Sequence, residues 1–200
     1  MSRRTGLPPG TRRPAVTGLL VAITAIIGTL VYQWAPSSVR LVSDVLHGGR
    51  AVPDDGGLPN GVTVFADEYP GVANLAPDLI EALRAAAADA GDDGIEFHVN
   101  SGWRSREHQN RLLRAAVAKY GSTERAARWV ATADTSAHVS GNAVDLGADA
   151  AAWLSGHGAA YGLCQIYRNE PWHYELRPEA IEHGCPAMYP DPAHDQRMRR

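Results

Sequence analysis

Cysteine is scarce in this sequence, since only Cys164 and Cys185 occur in 200 residues. Two cysteines cannot build a Cys-rich zinc site, and these two are not spaced as a C-x-x-C redox pair. If the domain lies outside the cytoplasm, where such bonds persist, the pair is expected to form a single disulfide. Two buried thiols are the alternative for a cytosolic domain.

A strong excess of charge is also missing, because the formal net charge is only −3. Nucleic-acid-binding domains normally present a basic face, whereas the basic clusters here lie near the two ends of the chain. We therefore expect no nucleic-acid partner. The sequence also lacks H-E-x-x-H, G-x-S-x-G, a phosphate loop and G-x-G-x-x-G, so a serine mechanism has no support. The composition leaves the oligomeric state open.

The N-terminal part of the chain has a pattern typical of export. Residues 1–14 contain four arginines and no acidic residue, and residues 15–35 contain no charged residue. About 20 apolar residues span a bilayer, and basic residues on one flank keep that flank inside. We therefore predict a cytoplasmic tail over 1–14 and a single-pass transmembrane anchor over 15–35, with the rest outside at the cell membrane. A cleaved signal peptide, which would release a secreted domain, is the alternative, because Ala35-Pro36-Ser37 resembles a small-x-small cleavage site.

The remaining sequence indicates one α+β domain. Turn-forming residues predict a linker over 36–60, a globular domain over 61–190 and a flexible polar tail over 191–200. Within the domain, apolar spacing and turn signals predict helices over 75–90, 105–120, 123–129 and 148–161, and short strands over 62–65, 95–100, 143–146 and 172–176. This order favours a small, mostly antiparallel sheet with helices packed on one side.

Two segments of the domain combine residue types that bind metal ions. His138 precedes a turn, and Asp145 follows within an apolar strand. A carboxylate in that setting requires a partner or a metal ion, because burying a lone charge is very costly. His173 supplies a second nitrogen from the later segment 170–175. Two histidines and one carboxylate leave the fourth tetrahedral position of zinc open, which is typical of a catalytic site.

Further reactive residues accompany these three. Glu170 lies three residues before His173, where a carboxylate is placed to accept a proton from water bound to the metal. Arg104 follows a predicted strand and is suited to stabilise an oxyanion or to clamp a carboxylate. Glu175 shares the strand face of His173, which suggests a hydrogen bond that orients this ligand. The alternatives are a surface acid for Glu170 and a structural ion pair for Arg104.

Three motifs, S-G-W-R-S, S-x-H-x-x-G-x-A-x-D and E-P-W-H-x-E, resemble the signature of the D-alanyl-D-alanine carboxypeptidase/dipeptidase family of zinc peptidases. This is the VanY and VanX type, whose fold is shared by the Hedgehog signalling domain. The resemblance covers roughly residues 77–176. It implies the following assignment: His138, Asp145 and His173 as ligands of Zn²⁺, Glu170 as general base, Arg104 as the group that polarises the scissile carbonyl, and Ser136 near the substrate.

The resemblance also implies a reaction, the hydrolysis of the terminal D-alanine of peptidoglycan stem peptides. A stem peptide is then the expected partner, and Trp172 is expected to form a wall of the site, with a place in the core as the alternative. A dipeptidase or an endopeptidase of the same family is a rival within enzymes. A zinc-containing module that binds cell wall without cutting it is a rival from another class, although the presence of both Glu170 and Arg104 argues against it.

Overall fold

The computed structural model describes residues 52–199. The predicted cytoplasmic tail, the predicted transmembrane anchor and most of the predicted linker lie outside these residues. Across 52–199, no helix is both long and apolar enough to cross a membrane.

The described part of the chain contains short strands between helices, as expected of an α+β fold. The helices are α1 (Pro70–Ala73), α2 (Pro77–Asp92), α3 (Arg106–Tyr120), α4 (Thr123–Ala126), α5 (Ala148–His157) and α6 (Ala180–His183). The strands are β1 (Val99–Ser101), β2 (Ala143–Leu146), β3 (Leu163–Gln165) and β4 (His173–Leu176). Three 3₁₀ turns complete the set, at Gly158–Tyr161, Pro192–His194 and Gln196–Arg199.

The four strands form one sheet in the order β1-β2-β4-β3. Every neighbouring pair is antiparallel, which confirms the predicted sheet. In the central pair, Val144 lies opposite Tyr174 and Asp145 lies opposite His173. The pairing therefore brings together two residues that are 28 positions apart in the sequence.

Alternation along β2 and β4 separates the core from the reactive face. Side chains of a strand point to opposite faces in turn, and Val144, Leu146 and Tyr174 are buried in the main core. Helices α2 and α5 supply much of the rest of that core, including Leu83 and Leu154. The intervening residues of β2 and β4 consequently lie on the opposite face.

Helix α3 follows its predicted limits, because both of its ends carry strong local signals. The Ser105 hydroxyl accepts a hydrogen bond from the backbone N–H of His108 at 3.1 Å, which satisfies one free donor of the first turn. Gly121 ends the helix with φ of 81°, a left-handed conformation that glycine adopts without steric cost. The helix begins directly after Arg104 and thus fixes the position of that residue.

Several predicted boundaries differ from the structure. Residues 62–65 form only an isolated bridge between Thr63 and His98 instead of a strand. Strand β3 was not predicted, because three residues are too few to show alternation.

The limits of the domain also differ from the prediction. The domain starts before residue 61, since Asp55 of the predicted linker pairs with Arg111 of α3. Residues 191–199, predicted as a flexible tail, pack against the domain, with Asp191 and Asp195 buried. A hydrophobicity pattern does not predict this packing, because the buried side chains are charged.

The two cysteines form the predicted disulfide, with Cα atoms 5.6 Å apart. Cys164 lies on β3, and Cys185 follows α6. The bond closes a loop that contains β4 and the turn before it. In the chain-entropy description, a closed loop of this size contributes about 3 kcal/mol to the free energy of unfolding.

Candidate active site

The structure brings His138, Asp145 and His173 to one point. His138 Nε2 lies 3.3 Å from His173 Nδ1 and 3.3 Å from Asp145 Oδ1, and the last two atoms are 3.1 Å apart. A tetrahedral ion with bonds of about 2.0–2.1 Å separates its ligand atoms by about 3.3 Å. The triangle therefore fits a zinc-sized ion. Although burial opposes it, the two histidines hold the pKa of Asp145 well below its usual range, so this side chain is ionised.

His138 is oriented by two backbone segments. Its Nδ1–H donates to the Gly102 carbonyl at 2.8 Å, so Nε2 keeps its lone pair for the centre of the triangle. Gly141 turns the chain back toward β2 with φ of 75°, and a Cβ there would lie only 2.5 Å from the Asn74 carbonyl oxygen. Only glycine suits a left-handed turn with such a close approach. The turn thus explains the Gly in the second motif.

His173 is oriented by a carboxylate. Its Nε2 lies 3.3 Å from Glu175 Oε1, two residues further along β4 on the same face. A buried carboxylate in this place accepts the Nε2–H and leaves the Nδ1 lone pair for the metal position. Burial lowers the pKa of His173, but hydrogen bonds with Asp145 and Glu175 outweigh it and raise the value to about 9. The site therefore attracts a cation strongly, whether a proton or a metal ion.

Arg104 reaches the same centre from the end of β1. Its Nη2 donates to Asp145 Oδ2 at 2.8 Å, its Nε to Ser101 Oγ at 2.7 Å, and its Nη1 to Gln109 Oε1 at 3.2 Å. The ion pair with Asp145 is the structural alternative considered from the sequence. It does not exhaust the five N–H donors of a guanidinium, and the side chain also lines the site cavity.

Glu170 lies beside the triangle without being part of it. Its Oε2 is 3.8 Å from His173 Nδ1, and only 7% of the residue is exposed. Burial raises the pKa of this carboxyl to about 7, with Asp145 adding to the effect and His173 opposing it. A group with such a pKa exchanges protons readily near neutral pH. The surface-acid alternative for Glu170 therefore does not hold.

A cavity of about 120 Å³ lies over these residues. Ser136 is nearly buried in its wall, and Trp172 lines it while remaining 40% exposed, so Trp172 does not belong to the core. Pro192 and Met198, from the segment predicted as a tail, line it as well.

Two residues that contact the site, Gln109 and Arg197, were difficult to predict from the sequence. Gln109 is buried and joins Arg104 to the Ala131 carbonyl, to which it donates at 2.9 Å. Its position seven residues before the buried Ala116 on α3 was the available sign. Arg197 contacts Glu175 from the C-terminal segment, and no local pattern identifies that contact.

The comparison with known proteins agrees with this geometry. The family model described as "VanY: D-alanyl-D-alanine carboxypeptidase" matches residues 72–179. The chain belongs to this family. The matched range holds the three residues of the triangle, Arg104 and Glu170, and it ends before the C-terminal segment.

Known proteins of the VanY type are similar to this chain in sequence and in structure. A D-alanyl-D-alanine carboxypeptidase of Enterococcus faecalis is 33% identical over 48% of this chain and 43% of its own length, so the chain spans less than half of that relative. A mutant of the D,D-pentapeptidase VanY from the VanB-type resistance cassette, solved with Zn(II), is 28% identical, with a TM-score of 0.50 over 55% of this chain and 75% of the other. VanYB in complex with D-alanine-D-alanine is 27% identical, with a TM-score of 0.50 over 55% and 74%.

Proposed function

We propose that this protein is a zinc-dependent D-alanyl-D-alanine carboxypeptidase that removes the terminal D-alanine of peptidoglycan stem peptides. The observation that carries the proposal is the convergence of His138, Asp145 and His173 on one point, with Glu170 next to it. These three side chains would hold the zinc ion. When bound, zinc lowers the pKa of a water ligand to about 7 and polarises a carbonyl.

Glu170 is the proposed general base. Its carboxylate accepts a proton from the attacking water and returns it to the nitrogen of the leaving D-alanine. Its pKa of about 7, raised by burial, suits both transfers near neutral pH, because the group can then both accept and release a proton. The 3.8 Å between Glu170 Oε2 and His173 Nδ1 keeps the base near the metal position but outside the ligand set.

Arg104 is proposed to stabilise the developing negative charge on the carbonyl oxygen. Among the described residues, Arg104 donates one N–H from each of its three nitrogens. The acceptors are Ser101 for Nε, Gln109 for Nη1 and Asp145 for Nη2. Two N–H groups then remain for an oxygen in the cavity, where a fixed guanidinium is effective because its donors are already oriented. Ser136 and Trp172, on the cavity wall, are proposed to contact the peptide.

Two observations favour a small D-alanyl substrate. The cavity of about 120 Å³ is small beside the roughly 300–1,000 Å³ of pockets that take drug-sized ligands. The solved relative VanYB binds D-alanine-D-alanine. Both support a small residue at the cleaved end.

A synthetic pentapeptide stem tests the reaction. We expect the zinc-loaded protein to release one D-alanine and leave a tetrapeptide, measured by mass spectrometry. Chelation should abolish the product, and added zinc should restore it. Loss of two alanines would instead indicate a dipeptidase, and a cut inside a cross-linked substrate would indicate an endopeptidase. Binding of zinc and peptide without any product would favour the non-catalytic module.

We also propose that residues 15–35 tether the protein to the cell membrane, with the catalytic domain outside. The charge pattern of the N-terminus and the disulfide of the domain both support this location. Full-length protein should stay in membranes washed with alkaline carbonate, and protease added outside should remove the domain. A soluble mature form that starts near Ser38 would contradict the anchor.

A further inference from the structure

The C-terminal segment, residues 191–199, packs on the catalytic domain although it lies beyond the range matched by the family. Asp191 and Asp195 are almost completely buried. Burial of two carboxylates is costly unless each has a partner. Asp191 pairs with Arg128 at 2.8 Å, and Asp195 pairs with Arg197 at 2.5 Å. The segment is therefore held in a defined position.

Arg197 connects this segment to the metal-binding residues. Its Nη1 donates to Glu175 Oε2 at 2.7 Å, and its Nη2 lies 3.2 Å from Glu175 Oε1. The same guanidinium donates through Nε to Asp195 Oδ2 at 2.9 Å, and that oxygen accepts the Tyr167 hydroxyl at 3.0 Å. Arg197 is thus fixed on one side by Asp195 and grips both oxygens of Glu175 on the other.

Glu175 in turn contacts His173 through Oε1, at 3.3 Å from Nε2. This oxygen determines which ring nitrogen of His173 carries the proton, and hence which one faces the metal position. Arg177 also contacts Glu175, but through Oε2 alone, at 2.6 Å. Of these two arginines, Arg197 is the one that reaches the oxygen directed at the histidine.

We infer that Arg197 is a positioning residue of the metal centre: it holds Glu175 so that the Nδ1 lone pair of His173 points at the metal position. The inference rests on the proposed function for the identity of the metal. It assigns the C-terminal segment a role in the active site. Mutation of a residue that hydrogen-bonds to a metal ligand commonly lowers metal affinity by about 10–100-fold.

Zinc affinity of the full chain tests this role, measured by competition with a chromogenic chelator. We expect Arg197→Met to weaken zinc binding by about 10–100-fold. Arg114→Met, the same change at an exposed position of α3, should leave the affinity unchanged. An Arg197→Met protein with the affinity of the wild type would overturn the inference.

A double-mutant cycle separates positioning from a general loss of structure. If Arg197 acts through Glu175, its replacement should cost little further zinc affinity in a Glu175→Gln background. Equal losses in both backgrounds would contradict the proposed path. If Arg197→Met does not fold, Arg197→Lys replaces it, since lysine keeps the charge but lacks the fork that grips both oxygens. Wild-type affinity in that folded variant would also overturn the inference.

The proposed function and this inference fail in different ways. Wild-type protein that binds zinc but never cuts the stem peptide would remove the carboxypeptidase, while the affinity difference at Arg197 would stand. Wild-type protein that cuts the peptide, together with an Arg197→Met variant of unchanged zinc affinity, would remove only the inference.

Discussion

Replacing Glu170 with glutamine is expected to reduce kcat by at least about 10²–10⁴-fold, the usual contribution of a general base. Glutamine keeps the shape of the side chain and its hydrogen-bonding capacity, but it cannot take up the proton of the attacking water. Glu170 Oε2 lies 3.8 Å from His173 Nδ1, outside the triangle of the proposed ligand atoms. Zinc content should therefore stay near that of the wild type, as measured by elemental analysis beside stem-peptide turnover.

The matched control is Glu182→Gln, because the side chain of Glu182 is 81% exposed. This variant should keep full turnover. A Glu170→Gln protein that hydrolyses the peptide at the wild-type rate would remove Glu170 from the role of base. Peptide affinity is expected to survive in Glu170→Gln, because Arg104, Ser136 and the metal ligands remain.

Replacing His173 with alanine is expected to remove most of the bound zinc and, with it, the hydrolysis of stem peptide. The change deletes one of the three converging atoms proposed as ligands, and it also leaves the buried Glu175 without one of its partners. The loss of zinc affinity should exceed the roughly 10–100-fold typical of a change outside the ligand set. His138→Ala and Asp145→Ala should behave in the same way.

His183→Ala provides the control for the histidine series, since this side chain is 75% exposed. It should bind zinc as the wild type does. Equilibrium dialysis followed by elemental analysis measures the content of each variant. Near-stoichiometric zinc in His173→Ala would overturn the assignment of ligands, whatever the activity of that variant.

Local features of the sequence by themselves determined the limits of α3 and the candidate metal-binding residues. Ser105 and Gly121 set the ends of α3 because capping depends on residues within one turn of the helix. The apolar strand around Asp145 and the position of His173 in a second strand indicated a metal centre, because a buried carboxylate needs a cation. Spacing within each motif was sufficient to predict the site residues, since each motif lies on one short strand or on the turn beside it.

Long-range contacts were decided by the tertiary structure alone. The register of β2 and β4 sets Asp145 opposite His173, and no local signal fixes the alignment of two strands this far apart. Arg197 looked like part of a solvated tail. It is 22 residues from Glu175, so no local signal indicates the contact. A charged residue can be buried when a residue of opposite charge pairs with it, and such a pair leaves no apolar periodicity in the sequence.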